Sequence, residues 1–180
     1  RIQGLAREDQ HVKYIAFAEN RGQSAAFSAG FQAASGDVLA TMDADLQNDP
    51  ADLPKLLAAY AQGADMVVGW RANRKDTWRK RMASKIGNGF RNRLTRTRVK
   101  DTGCSLKVMR TDLARRIPMF TGMHRFLPTL MDLMGASIEE VAVNHRPRRY
   151  GKSKYGILDR ALAGMYDLMA VRWMEKRFIR

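Results

Sequence analysis

The first third of the chain alternates between stretches typical of β-strands and stretches typical of α-helices, and this alternation strongly limits its fold. The strand-like stretches are short and rich in β-branched or apolar residues, while the helix-like ones repeat apolar residues three or four positions apart. Such alternation indicates a parallel α/β sheet flanked by helices. We expect strand 38–42 to be buried on both faces and parallel to strand 12–17. The predicted strands are 12–17, 38–42 and 65–69, and the predicted helices are 23–34 and 52–60.

The strand at 38–42 leads directly into two carboxylates and a carboxamide. Asp43, Asp45 and Gln47 occupy alternate positions, so on an extended chain their side chains would share one side. Three oxygen ligands suit a hard divalent cation such as Mg²⁺ or Mn²⁺, which can also bind a diphosphate. The alternative is that Asp43 only ends a strand while Asp45 and Asp49 cap the following helix.

The net charge of +14 is distributed unevenly over the 180 residues. An acidic part at 1–69 precedes strongly basic segments at 70–116 and 145–180. Basic segments indicate an anionic partner, which could be nucleic acid, a phospholipid surface or a phosphorylated substrate. The one cysteine, Cys104, excludes an intramolecular disulfide and fits a reducing compartment. No run of about 18 apolar residues occurs, so we predict no membrane-spanning helix.

Three motifs occur close together, NRGQSAA at 20–26, ASGD at 34–37 and DADLQ at 43–47. In combination they resemble the GT-A glycosyltransferases of family 2. The resemblance is closest to the branch that includes dolichol-phosphate mannose synthase and the bacterial polyprenyl-phosphate glycosyltransferases. It implies a Rossmann-like, mostly parallel sheet flanked by helices, with residues 1–154 as a partial catalytic domain. The family has a first βαβ portion upstream of these motifs, so the chain is expected to be a fragment without it.

The resemblance also assigns roles to individual side chains. It places the metal at Asp43, Asp45 and Gln47, and nucleotide binding at Asp43 and Arg21. Residues 101–110 are similar to a family segment whose aspartate, here Asp101, lies near the reacting centre; the alternative is a turn that opens strand 105–109. A phosphate acceptor is mostly dianionic at pH 7 and is already a nucleophile. Asp101 is therefore expected to orient the acceptor or the metal rather than to remove a proton.

Five cationic or hydroxyl side chains are expected to bind the donor and acceptor phosphates. Arginine binds phosphate oxygens through two parallel hydrogen bonds, while lysine acts as a point charge. The resemblance places Arg71 and Lys85 beside the phosphates, and the segment 149–154 resembles the family's Arg-x-x-Gly-x-Ser-Lys loop. For most other residues of 70–98 a solvated basic helix is the simpler interpretation. The loop supplies Arg149, Ser153 and Lys154.

The histidines carry a weaker signal. His11, His124 and His145, together with Cys104, do not have zinc-binding spacing. We expect His124 to be a packed or capping residue, although the resemblance is also consistent with a location beside the acceptor channel.

Residues 155–180 are predicted to form an amphipathic helical tail. An apolar stripe with helical spacing is accompanied by basic residues. Two interpretations stay open: contact with the protein core or a partner, or an interfacial helix on anionic lipid. The stripe consists of Leu158, Leu162, Met165, Met169 and Trp173.

The resemblance implies an inverting, metal-dependent transfer of a hexose from a nucleoside-diphosphate sugar to a polyprenyl phosphate. The reaction would take place at the cytoplasmic face of a membrane, with Mg²⁺ or Mn²⁺ as cofactor and an anionic membrane surface as partner. One alternative is a glycosyltransferase-like membrane subunit without turnover. The other is a basic nucleic-acid-binding module, but no paired aromatic platform or nucleic-acid motif accompanies the basic segments, so no nucleic acid is expected.

Overall fold

The computed structural model describes residues 1–72, 82, 87, 89, 93–95, 99–147 and 157–177, with the backbone alone for 157–162. Two 3₁₀ helices, Pro50–Asp52 and Met123–Phe126, each lead into an α-helix. The strands are β1 (Val38–Thr41), β2 (Met66–Trp70), β3 (Lys107–Arg110) and β4 (Ile138–Ala142). The α-helices are α1 (Ile2–Glu8), α2 (Gly22–Ala33), α3 (Leu53–Tyr60), α4 (Thr111–Arg116), α5 (Leu127–Leu133) and α6 (Ile157–Arg177).

The four strands form one mixed sheet in the order β1-β3-β2-β4. β2 pairs with β4 in parallel, whereas β3 lies between β1 and β2 and is antiparallel to both. Consequently β1, β2 and β4 all run in one direction and β3 runs against them. The predicted α/β class, with helices flanking a sheet, is confirmed.

Two predictions about the start of the sheet are wrong. Residues 12–17 form no strand, and the side chains of Tyr14, Ile15 and Phe17 are exposed. β1 is not parallel to such a strand, and only its alternate residues, Leu39 and Thr41, are buried. Strand composition produces a strand only where a ladder partner is available. β1 is an edge strand of the described sheet, and a cleft of about 450 Å³ lies between it and α2.

Apolar side chains cover both faces of the sheet. On one face Met66, Val68 and Met109 pack against Phe31 of α2 and Leu130 of α5 in the larger core cluster. On the other face lies a smaller cluster that includes Val67, Leu106, Val108 and Leu56 of α3. Close packing on both faces holds the strands in fixed positions. The first residues of the loops that follow the strands are therefore fixed as well.

Helix α6 has apolar side chains on two opposite faces. Leu168 and Val171 are buried in the larger core cluster. Met165, Met169 and Trp173, three members of the predicted stripe, are exposed by 47%, 66% and 65%, so contact with the protein's own core is the wrong interpretation for them. Within the described part of the chain, no helix has the length and apolarity needed to cross a membrane.

Candidate active site

One edge of the sheet collects the segments singled out in the sequence. β1, β2 and β4 end at this edge, and the antiparallel β3 begins there. Ligands of open α/β sheets bind in the crevice at the carboxyl ends of the strands. The loop after β1 carries Asp43 and Asp45, Arg71 follows β2, and Asp101 precedes β3. The structure joins two of these segments directly, because the amide of Asp43 donates to Ser105 Oγ at 3.1 Å.

The loop that carries Asp43 and Asp45 is not extended. β1 ends at Thr41, and Leu46 has a left-handed backbone with φ of 63°. Such a conformation costs a non-glycine residue on the order of 1 kcal/mol or more and is concentrated at functional sites. The premise that alternation places Gln47 beside the two carboxylates is therefore wrong. The side-chain amide nitrogen of Gln47 instead lies 3.4 Å from the carbonyl oxygen of Arg146.

Hydrogen bonds within the protein hold both carboxylates. Gln23 Nε2 of α2 donates to Asp43 Oδ1 at 3.0 Å, and the amide of Gln47 donates to Asp45 Oδ1 at 3.2 Å. Both aspartates are only partly buried. Among the described residues, no group of three or more His, Cys, Asp or Glu side chains could hold a metal ion. The donor set still fits Mg²⁺ or Mn²⁺, because such ions often take only one or two protein carboxylates and complete their coordination with water and substrate phosphates.

Arg71 and Asp101 form a bidentate ion pair. Arg71 Nε donates to Asp101 Oδ2 at 2.7 Å and Nη2 donates to Oδ1 at 2.8 Å. The side chains are 16% and 7% exposed, so the pair is largely shielded from water. Charge-assisted pairs of this geometry are among the stronger hydrogen bonds in proteins. From the sequence we predicted that the Arg71 guanidinium binds phosphate. In the structure it binds Asp101.

The backbone around Asp101 is also fixed. The amides of Lys100 and Asp101 both donate to Glu140 Oε1, at 2.9 and 3.2 Å. The amide of Cys104 donates to the carbonyl of Asp101 at 3.3 Å. Asp101 thus begins a compact turn, as the structural alternative predicted, and its carboxylate is buried at the site edge. These two observations are compatible, so the turn does not exclude a functional role.

The segment that follows β4 lies along the carboxylate loop. The amide of Arg146 donates to the carbonyl of Gln47 at 2.8 Å, and the Arg146 guanidinium pairs with Asp49. The buried carboxylate of Asp52 accepts from the amide of Asn144 at 2.6 Å. The beginning of the basic segment at 145–180 is therefore attached beside the predicted metal site.

The other predicted site residues are divided between exposed and undescribed positions. Arg21 precedes α2 and pairs with Glu19 at 2.9 Å, and both side chains are largely exposed. Lys85, Arg149, Ser153 and Lys154 lie outside the described residues. Their assignment to phosphate binding stays a prediction.

His124 is held on the α2 side of the site. Ser24 Oγ lies 2.8 Å from His124 Nδ1, and the imidazole stacks on Phe27 at 6.4 Å between ring centroids. Burial, followed by the positive charges of Arg125 and Lys107, lowers the pKa of His124 to about 4. The ring is therefore neutral at pH 7. This agrees with the expectation of a packed histidine.

Sequence reasoning missed three residues that support the site. Gln23 has the clearest signal of the three, because it belongs to the motif at 20–26 and its carboxamide can donate a hydrogen bond to a carboxylate. Glu140 follows another glutamate in β4, and Lys107 lies between Leu106 and Val108, so neither carries a separate signal in the sequence. Lys107 is 3% exposed, and burial lowers its pKa to about 8.

Comparison with curated proteins finds relatives across nearly the whole chain. The chain is 37% identical over 176 residues to dodecaprenyl-phosphate galacturonate synthase of Rhizobium johnstonii, covering 96% of this chain and 52% of that protein. It is 38% identical over 162 residues to undecaprenyl-phosphate 4-deoxy-4-formamido-L-arabinose transferase of Proteus mirabilis, covering 90% and 49%. The chain thus spans about half the length of the curated relatives it matches.

Solved structures share the fold at lower identity. Glucosyl-3-phosphoglycerate synthase from Mycobacterium tuberculosis in complex with phosphoglyceric acid matches with a TM-score of 0.60 and 16% identity, covering 88% of this chain and 56% of that one. The same enzyme with Mn²⁺, uridine-diphosphate-glucose and glycerol 3-phosphate matches with a TM-score of 0.57 and 16% identity, covering 87% and 55%. Residues 1–118 match the family model described as glycosyl transferase family 2. With two thirds of its length inside that match, this chain belongs to glycosyl transferase family 2.

Proposed function

We propose that the whole protein transfers a sugar from a nucleoside-diphosphate sugar to a polyprenyl phosphate. The observation that carries the proposal is the identity of 37–38% to two polyprenyl-phosphate enzymes over at least 90% of the chain. The arrangement of Asp43, Asp45 and Asp101 at one sheet edge supports it. The two relatives are named for a galacturonate and for a formamido-arabinose. The transfer of a hexose specifically, with inversion, therefore stays a narrower prediction.

Asp43 and Asp45 are the residues that would hold a Mg²⁺ or Mn²⁺ ion in this proposal. A solved relative of the same fold was crystallised with Mn²⁺ and uridine-diphosphate-glucose, which supports a divalent metal in this protein too. Such an ion would neutralise the charge of the leaving diphosphate. Gln47 would contribute its side-chain oxygen, since its contact with Arg146 is made by the side-chain nitrogen.

Asp101 would act by position in this reaction. Both of its carboxylate oxygens accept hydrogen bonds from Arg71, which hold the carboxylate in one orientation. A polyprenyl phosphate is mostly dianionic at pH 7, so its attack requires no proton removal. Catalysis would then depend on orientation and on electrostatic stabilisation of the phosphates.

The exposed face of α6 is the part of the described chain best suited to a membrane surface. Met165, Tyr166, Met169 and Trp173 are exposed by 47–78%, on the side of the helix opposite to the core. Lys176 and Arg177 lie in the last turn. Apolar and aromatic residues flanked by cations bind the interface of anionic bilayers. A cytoplasmic location fits the free thiol of Cys104, although the face of the membrane stays a prediction.

The test is lipid-linked sugar formation by the full-length protein. Radiolabelled uridine-diphosphate sugars would be incubated with undecaprenyl phosphate and Mn²⁺, and label in the organic phase would be measured. We expect transfer by the wild type and by Arg116→Met, which removes an exposed charge in α4, and none by Asp45→Asn. Donor binding without lipid labelling for every sugar tested would contradict the proposal and favour a subunit without turnover.

A further inference from the structure

Lys107 occupies a central position beneath the site. It is the first residue of β3, and its neighbours in the sheet are Thr41 of β1 and Val68 of β2. With 3% exposure it is the only buried lysine or arginine among the described residues. The register places the Lys107 side chain on the same sheet face as that of Thr41. Thr41 in turn lies two residues before Asp43.

The surroundings of Lys107 offer little compensation for a buried charge. An ammonium group carries three donors, and in the described part of the chain its hydrogen-bond acceptor is the carbonyl oxygen of Cys104. Removing a charge from water with so few partners is unfavourable, and an apolar residue of similar shape would be easier to bury. The position therefore calls for a reason other than stability.

Lys107 is connected to Asp101 through the turn that Asp101 begins. The Cys104 amide closes this turn on the Asp101 carbonyl at 3.3 Å, and Lys107 binds the carbonyl of the same Cys104. Burial lowers the pKa of Lys107, while the negative charges of Asp101 and Asp43 work in the opposite direction. Both carboxylates thus favour the protonated form of Lys107.

We propose that Lys107 is a positioning residue, which fixes the turn 101–104 through Cys104 and provides a buried positive charge behind Asp43 and Asp101. The inference rests on the proposed function, since the orientation of these two carboxylates matters for the transfer of the sugar between phosphates. The charge would hold the carboxylates in place before and during the arrival of the substrates. Lys107 itself would touch neither substrate.

Two substitutions separate its two contributions. Lys107→Met removes the donor and the charge at similar volume, and Lys107→Gln keeps an N–H donor for the Cys104 carbonyl without the charge. The matched control is Arg116→Met, which also removes one positive charge but lies on α4, away from the site edge. The measurements are kcat and KM for the nucleotide sugar, the midpoint of thermal unfolding, and hydrogen exchange of a peptide covering 101–106.

For Lys107→Met we expect kcat to fall by about 10–100-fold, as for other supporting residues around a metal site. KM should change by less than about threefold, the unfolding midpoint should not fall, and exchange in 101–106 should accelerate. In Lys107→Gln, hydrogen exchange of 101–106 should match that of the wild type, because the donor to the Cys104 carbonyl is kept. Its kcat should still be lower than that of the wild type, because the charge is lost.

A folded Lys107→Met variant with kcat within about twofold of the wild type would overturn the inference. So would a loss of kcat that only follows a loss of folded protein. If Lys107→Met fails to fold, Lys107→Gln decides: unchanged kcat refutes the role of the charge, and a loss of at least about tenfold supports it. Failure of the proposed function is distinguishable, because the wild type itself would then transfer no sugar.

Discussion

A neutral His124 should make the stability of the protein depend on pH in a defined direction. Its Nδ1 lies 2.8 Å from Ser24 Oγ, and its ring stacks on Phe27. Burial, and then the charges of Arg125 and Lys107, lower its pKa from the ordinary 6.5 to about 4. Protonation of this ring therefore opposes folding.

The sign follows from proton binding in the two states. Between about pH 6.5 and 4 the unfolded chain binds a proton at residue 124 and the folded chain does not, so acid favours unfolding. The contribution of His124 to stability is complete above pH 6.5 and is lost as the pH falls towards 4. The difference between the two pKa values corresponds to about 3 kcal/mol. Because the ring is only partly buried, solvent relaxation makes this an upper limit.

Urea unfolding at a series of pH values from about 7 to 4 measures the effect. His124→Asn keeps a polar group near Ser24 but does not titrate, so its free energy of unfolding should fall less between pH 7 and 4, by up to about 3 kcal/mol. The control is His11→Asn at an exposed position, which should follow the wild type. If the wild type and His124→Asn lose stability in parallel over this range, the reasoning about His124 is wrong.

Four further outcomes are expected. Asp45→Asn should abolish both transfer and Mn²⁺-dependent donor binding, and unchanged donor affinity by calorimetry would contradict the metal assignment. Asp101→Asn should retain more activity than Asp101→Ala across pH 5–8; equal losses of about 10²–10⁴-fold would instead indicate a general base. Arg71→Met should lower the free energy of unfolding by up to about 3–5 kcal/mol because the buried Asp101 loses both hydrogen bonds from the Arg71 guanidinium, and adding Asp101→Asn should recover part of this loss in urea unfolding. Replacing Met169 and Trp173 by serine should weaken sedimentation with anionic vesicles, and unchanged binding would place the membrane contact elsewhere.

Local patterns predicted most of the elements that lead to the site. The strands predicted at 38–42 and 65–69 correspond to β1 and β2, and the helix predicted at 23–34 corresponds to α2. These succeed because apolar periodicity reports which residues face the core. The site edge could be anticipated as well, since the ends of strands that run in one direction meet at one edge.

Features that depend on distant partners could not be read from the sequence. The stretch 12–17 has strand composition but no ladder partner, and β3 enters the sheet between β1 and β2 against their direction. The bidentate pair joins Arg71 and Asp101 across 30 positions of the chain. The left-handed backbone at Leu46 has no glycine to signal it, so the alternation rule failed there. In each case a tertiary contact or a local strain overrides the local pattern.

The Arg71–Asp101 pair changes how the phosphates must be accommodated. In the proposed reaction, a donor diphosphate and a dianionic acceptor phosphate would bring several negative charges to an edge that already carries Asp43, Asp45 and Asp101. Arg71 binds Asp101 with both arms of its fork, and moving it to a phosphate would leave that buried carboxylate without this partner. Arg146 is paired with Asp49. We infer that the charge of the phosphates would be met by the metal ion proposed at Asp43 and Asp45 together with cations of the basic segments 70–116 and 145–180 other than these two arginines, while Arg71 keeps Asp101 oriented.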